Sequence, residues 1–218
     1  MKNIVSVKSF GEPPFCEKEI LRYAGCREAD NEITELMHEC IQEVRTKLVY
    51  KVCCRETEVK INDGVCDFGF FSVRSEKLAK NLSGCESVLV FGATVGVEID
   101  RLIARYGRIS PAKALMLQAV GAERIEALCD LFCDSFESEH NVKLRARFSP
   151  GYGDLPLSVQ RDIFDVLDCT RKIGLSLSDS LLMSPSKSVT AFAGISDGNK
   201  PLENKCGGCD KADCVYRS

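Results

Sequence analysis

The sequence predicts an α+β protein, a single domain in which an antiparallel sheet packs against helices. Three observations carry this. Strand-like and helix-like runs are mixed, without the regular alternation that builds a parallel sheet. Apolar residues make up 44% of the 218, and 29 Lys+Arg stand against 32 Asp+Glu, a globular rather than a disordered composition. No internal repeat or linker interrupts the chain until it turns polar and glycine-rich after Ser196. The expected organisation is one domain over 1–196 and a cysteine-bearing tail over 197–218.

Near the start, Lys18–Ala24 reads as a short helix closed by Gly25. Asn31 is a candidate N-cap, and Ile33, Leu36, Met37, Cys40, Ile41, Val44 and Leu48 then keep the 3.6-residue period of an amphipathic helix. His38 falls off that stripe and reads as a solvated side chain. Val49–Cys54 and Glu58–Asn62 read as strands, and Asp63-Gly64 as a hairpin turn into Val65–Phe71. Ser75 caps a short helix through Leu82. Val88–Phe91 is apolar throughout, the pattern of a strand covered on both faces. Gly92-Ala93-Thr94-Val95-Gly96 reads as a turn. The next helix places Ile99, Leu102, Ile103 and Tyr106 on one face. Ser110-Pro111 opens a long helix to about Phe136. Leu144, Ala146 and Phe148 alternate with arginines, as in a half-exposed strand. A helix starts at Ser158, and Leu181–Met183 and Val189–Ile195 close the pattern as strands.

A formal net charge of −3 excludes a strongly basic protein and argues against a nucleic-acid partner. No apolar run approaches the roughly 20 residues that span a bilayer. Met1-Lys2-Asn3-Ile4-Val5 holds no hydrophobic signal core. The expectation is a cytoplasmic protein with no membrane partner. The 13 cysteines are odd in number, and many sit at apolar positions of the periodic runs. They read as reduced core residues.

Four constellations are able to carry chemistry. The turn at Gly92–Gly96 offers backbone N–H groups to an anion, or is simply a tight glycine turn. Along the long helix Leu115, Ala119, Ala122, Glu126, Cys129, Cys133 and Phe136 form a seam whose one charged member is Glu126. A carboxylate there needs a partner. It either faces a cleft and binds a ligand, or meets a structural arginine or water. Arg147-Phe148-Ser149-Pro150-Gly151-Tyr152-Gly153 joins a planar cation to a stiff, glycine-bearing loop and an aromatic face. It reads as a carboxylate or phosphate site, or as a surface turn. Cys206, Cys209 and Cys214 have the spacing of ligands for zinc or an iron–sulfur cluster, or belong to a reactive tail.

Read together, Arg147-Phe-Ser-Pro-Gly-Tyr and the stretch Ile173-Gly-Leu-Ser-Leu-Ser-Asp-Ser-Leu-Leu-Met-Ser-Pro-Ser-Lys-Ser-Val-Thr-Ala resemble the activation domain of cobalamin-dependent methionine synthase. Val90-Phe-Gly-Ala-Thr-Val-Gly with its two helices is similar to stand-alone members of that family. The resemblance covers roughly 15–195 and implies one α+β domain that binds S-adenosylmethionine. It implies an accessory role in methyltransferase activity. A corrinoid protein, methionine synthase or a relative, brings the cobalamin, and a low-potential donor such as flavodoxin or ferredoxin brings an electron. Cob(II)alamin is thereby reductively methylated. In this likeness Arg147 pairs with the methionyl carboxylate, and the backbone at Ser149 and Gly151 touches the ligand. Tyr152 stands at the cobalamin-facing edge as the residue of the catalytic centre, and Glu126 is a ligand-side acid. Gly153 replaces the familiar proline, which implies a looser loop. Ser184 and Ala193 replace familiar aromatics. Two other readings stand beside this one: a non-catalytic module that caps a corrinoid protein, and a redox partner using the cysteine tail.

Overall fold

The computed structural model describes residues 4–26 and 28–196. Strand β1 (Ser6–Phe10) is followed by a Pro13-Pro14 segment and helix α1 (Glu17–Tyr23). Helix α2 (Asn31–Val44) is capped by Asp30, whose carboxylate accepts the Ile33 N–H at 2.9 Å. The cap is thus one residue earlier than Asn31, and the helix stops short of Leu48. Strand β2 (Tyr50–Glu58) runs through the polar residues 55–57 without a break. The Thr57 hydroxyl donates to the Phe68 carbonyl, and Arg55 lies over the Phe70 ring. Strands β3 (Lys60–Asn62), β4 (Val65–Asp67) and β5 (Ser72–Arg74) form a small sheet. Phe68 fastens this sheet to the body by stacking on Phe192 at 4.9 Å between centroids.

Helix α3 (Glu76–Asn81) leads into β6 (Ser87–Thr94), then α4 (Glu98–Ile109) and the 30-residue α5 (Pro111–His140). Asn141 ends α5 in the left-handed conformation, four residues beyond the expected end. The expected strand over 144–148 shrinks to β7 (Lys143–Leu144), although pairing resumes where Phe148 and Phe192 exchange backbone hydrogen bonds. Helices α6 (Val159–Leu167) and α7 (Cys169–Ile173) precede a small hairpin of β8 (Ser176–Leu177) and β9 (Met183–Ser184). Strand β10 (Ser188–Ser196) returns to the main sheet.

That sheet has the order β1-β2-β6-β10-β7, antiparallel at every pairing. Helices cover both sides. On one face Leu89 and Phe91 meet Ile20, Met37, Ile99, Leu117 and Phe132 from α1, α2, α4 and α5. On the other, Val88 and Val90 meet Leu78, Ile163, Phe164 and Ile173. This accounts for the apolar run in β6, which has no solvent side to mark with polar residues.

Gly92 is not in a turn. It sits inside β6, paired with Cys53 and Thr190. A Cβ there would stand 3.1 Å from Cys169 Sγ and 3.6 Å from Cys53 Sγ. The turn is delayed to Gly96, at φ 83°. The backbone N–H groups expected to hold an anion at 92–94 belong to strand. The described cysteines are free, and Cys40, Cys53, Cys54, Cys66, Cys85, Cys129 and Cys169 are buried. Burial pushes the Cys40 and Cys66 thiols up to about 11.

The N-terminal segment is fixed by a buried ion pair. Arg124 of α5 is fully buried and donates to the Pro13 carbonyl at 2.5 Å and the Pro14 carbonyl at 2.7 Å. Its Nε donates to Glu123 at 2.5 Å, and its guanidinium lies 3.8 Å from the Phe15 ring centre. Glu123 also accepts the Cys16 N–H at 3.1 Å.

These contacts predict two effects on stability. Arg124→Met strands the Glu123 charge and is expected to cost about 3–5 kcal/mol. The double variant Glu123→Gln, Arg124→Met should cost less than the single one, read by urea unfolding. Gly92→Ala should cost about 1–3 kcal/mol by overpacking against Cys169, and Cys169→Ala in the same chain should recover part of that loss.

Candidate functional site

Helix α5 brings three acids to one side, at spacings of three and four residues: Glu123, Glu126 and Asp130. Glu123 is buried with Arg124, whereas the side chains of Glu126 and Asp130 are 44% and 51% exposed. Arg147 reaches both outer acids. Its guanidinium donates to Glu126 Oε2 at 2.8 Å and to Asp130 Oδ1 at 2.6 Å. The two residues singled out separately, Glu126 and Arg147, are therefore direct partners. The expected seam fails at its start, since Leu115 is 59% exposed. Below the acids Cys129 is fully buried, and burial pushes its thiol well above the ordinary range.

Arg147 is placed by the sheet. Arg145 N–H donates to the Gly194 carbonyl at 2.8 Å, and Phe148 is tied to Phe192 on either side of the arginine's own register. Helix α1 packs along α5 and places Tyr23 beside this group. Burial, and then the charge of Glu126, raise the Tyr23 phenol above its ordinary value. The formal charges of Arg147, Glu126 and Asp130 sum to −1, so the cluster is built around a cation and still favours positive charge.

The following loop is closed by its own backbone. Tyr152 N–H donates to the Ser149 carbonyl, Leu155 N–H to Tyr152, and Gly151 N–H to Leu155, at 2.9–3.1 Å. Gly151 and Gly153 take φ 89° and 59°. Proline, fixed near −65°, does not fit at 153, so the glycine there suits a tightly folded loop, and the expected looseness is corrected. Leu155 is buried as an anchor, and Tyr152 is 67% exposed at the tip. Asp154 crosses to α3, accepting from Ser75 Oγ at 2.5 Å and from the Glu76 N–H at 2.7 Å. Weak burial raises its carboxyl, but these donors outweigh it and hold the group below its ordinary value.

Of the other positions, Ala193 is fully buried and Ser184 is exposed in β9. His38 is exposed, 3.1 Å from Glu17. A separate cleft of about 740 Å³ between the 12–17 segment and α2 contains none of the motif residues. Cys206, Cys209 and Cys214 lie outside the described residues. Among the described residues no group of three or more His, Cys, Asp or Glu is placed to hold a metal ion, and no helix is long and apolar enough to cross a membrane. Asp130, Tyr23 and Asp154 are the functional candidates that sequence reasoning missed. For Asp130 the available signal was its four-residue spacing from Glu126.

Two comparisons bear on the fold and the family. Among solved structures, the MetH reactivation domain bound to AdoHcy superposes with a TM-score of 0.66, covering 92% of this chain and 81% of that one. The two are 14% identical, so the likeness is one of fold. Among curated proteins, none matches the sequence. The family described as vitamin B12 dependent methionine synthase, activation domain, matches residues 76–200. That span is more than half of the chain and includes α5, Arg147 and the Ser149–Leu155 loop, and the protein belongs to this family.

Proposed function

We propose that this protein binds S-adenosylmethionine at Arg147, Glu126 and Asp130 and serves in trans to reactivate a cobalamin-dependent methionine synthase. The observation that supports it most is the charge of the cluster. S-adenosylmethionine carries an ammonium, a sulfonium and a carboxylate, a net of +1, against the −1 of the three side chains. Arg147 supplies the planar fork that a carboxylate takes, and the two acids released from it are free to receive the ammonium. The family membership and the fold shared with a domain bound to AdoHcy point the same way.

Cobalamin on the partner would supply the chemistry, accepting one electron from a low-potential donor and a methyl group from the sulfonium, with S-adenosylhomocysteine left behind. The work of this chain is positioning. Arg147, Glu126 and Asp130 hold the amino-acid end. The backbone of Ser149 and Gly151 lies beside Arg147 in sequence and is fixed by the closed loop. Tyr152, exposed at the tip, presents its ring to the partner. The open setting of the loop suits a second macromolecule better than a small substrate enclosed on all sides.

Anaerobic calorimetric titration with S-adenosylmethionine should show one saturable site, and Arg147→Ala should abolish it while leaving the circular dichroism spectrum unchanged. Equal affinity in that variant would remove Arg147 from the site. Charge sets the second expectation: S-adenosylmethionine should bind more tightly than S-adenosylhomocysteine, and Asp130→Asn should narrow the gap. A ratio unaffected by Asp130→Asn would refute the electrostatic basis of recognition.

A further inference from the structure

Asp154 holds the loop that carries Tyr152 from a position outside the loop's own hydrogen bonds. Its carboxylate accepts the Ser75 hydroxyl at 2.5 Å and the backbone N–H groups of Glu76 and Lys77 at 2.7 and 3.3 Å. Glu76 and Lys77 are the first two residues of α3, whose N–H groups have no partner within the helix. Ser75 covers the third, accepting the Leu78 N–H at 3.1 Å. The start of α3 is therefore capped by two side chains, one local and one from 79 residues further along the chain. A carboxylate there is favoured by the helix dipole as well as by the hydrogen bonds.

The approach is close. Gly153 has φ 59°, and a Cβ on it would stand 2.7 Å from Lys77 Cδ. A glycine in this conformation lets the backbone pass the lysine stem without displacing it and deliver Asp154 to the helix end. Tyr152, two residues before Asp154, is 67% exposed and has little packing of its own to set its direction.

We propose that Asp154 is a positioning residue, a latch that fixes the Tyr152 tip and the Ser149–Gly151 backbone by anchoring their loop to α3. Its effect on ligand affinity rests on the S-adenosylmethionine reading above, whereas its effect on the loop does not. α3 stands on the small sheet and on the core beneath Leu78, so the latch ties the motif to a rigid part of the fold. The hydrogen bonds within the loop set its shape, and Asp154 sets where that shape sits.

The chain has no tryptophan, so Tyr152→Trp installs one fluorophore at the loop tip. Its anisotropy reports nanosecond motion there. In that reporter, Asp154→Ala removes the latch from the loop side. Glu76→Pro removes the donor at 2.7 Å from the helix side. Proline suits the first helical position, and Ser75, at φ −158° and ψ 110°, already has the extended backbone a following proline requires. The Arg74–Glu76 pair lost with it is exposed and contributes little. Both variants should lower the anisotropy while thermal unfolding stays cooperative. Asp154→Asn, which keeps one acceptor oxygen, should fall between. With Tyr152 restored, Asp154→Ala and Glu76→Pro should weaken S-adenosylmethionine binding about 10- to 100-fold, the range for a charged hydrogen bond. Unchanged anisotropy in both variants overturns the latch. Lowered anisotropy with unchanged affinity overturns its positioning role. If the parent protein itself binds no S-adenosylmethionine while the anisotropy falls as stated, the latch stands and the ligand reading fails.

Discussion

The buried Arg124 is the constraint on which much of this molecule is arranged. A guanidinium cannot be left in a core without hydrogen-bond acceptors. Here it takes two from the carbonyls of Pro13 and Pro14 and the rest from Glu123. Two consecutive prolines make that segment stiff, and neither carbonyl is spent on secondary structure. Phe15 covers the cation and Cys16 N–H closes on Glu123. The chain is thereby tied to α5 between β1 and α1. β1 can then lie beside β2 as the edge of the sheet, and α1 is laid along α5 with Tyr23 next to Glu126.

One helix thus carries both the clamp and the site. Glu123, Glu126 and Asp130 recur along one side of α5, and each acid is met by an arginine. Arg124 comes from the same helix and satisfies the inner acid in the dry interior. Arg147 arrives from beyond β7 and satisfies the two outer ones at the surface. The same chemistry has different consequences at the two places. The inner pair is enclosed and hydrogen-bonded to backbone on every side, so it does not exchange partners. The acids of the outer pairs are 44% and 51% exposed and only Arg147 is largely buried, at 22%, so on the proposed reading a ligand with its own carboxylate and ammonium reaches both partners from solvent.

The sequence made the fold class, the long helix, the covered strand and the Arg147 loop legible, because each leaves a periodic or punctuated pattern. Asp30 and Asn31 differ by one position, the usual margin for a helix cap. Glu126 was visible as the single charge in an apparent seam. Arg124 was not, since an arginine next to a glutamate on a helix reads as solvated, and only packing from α1 and the Pro13-Pro14 segment buries it. Gly92 misled for the opposite reason. Glycine is rare within strands, and nothing near it in sequence announces that Cys53 and Cys169 press on that point. Asp154 left no sequence signal either, because its partners lie 77–79 residues away.

Under the proposed function, the charge of the outer cluster also bears on product release after methyl transfer. S-adenosylmethionine balances the −1 of Arg147, Glu126 and Asp130, and losing the methyl group turns its sulfonium into a neutral thioether. The product then leaves the site with an uncompensated negative charge. Arg147 still has Glu126 and Asp130 to return to, at 2.8 and 2.6 Å, so the empty state is itself a satisfied one. A site whose ligand-free form is internally paired weakens product binding by competition: with the sulfonium charge lost, only the ammonium and carboxylate remain to compete with the Arg147 ion pairs. On this reading the ion pairs seen at Arg147 are the resting state of the binding site, and they favour release of product over its retention.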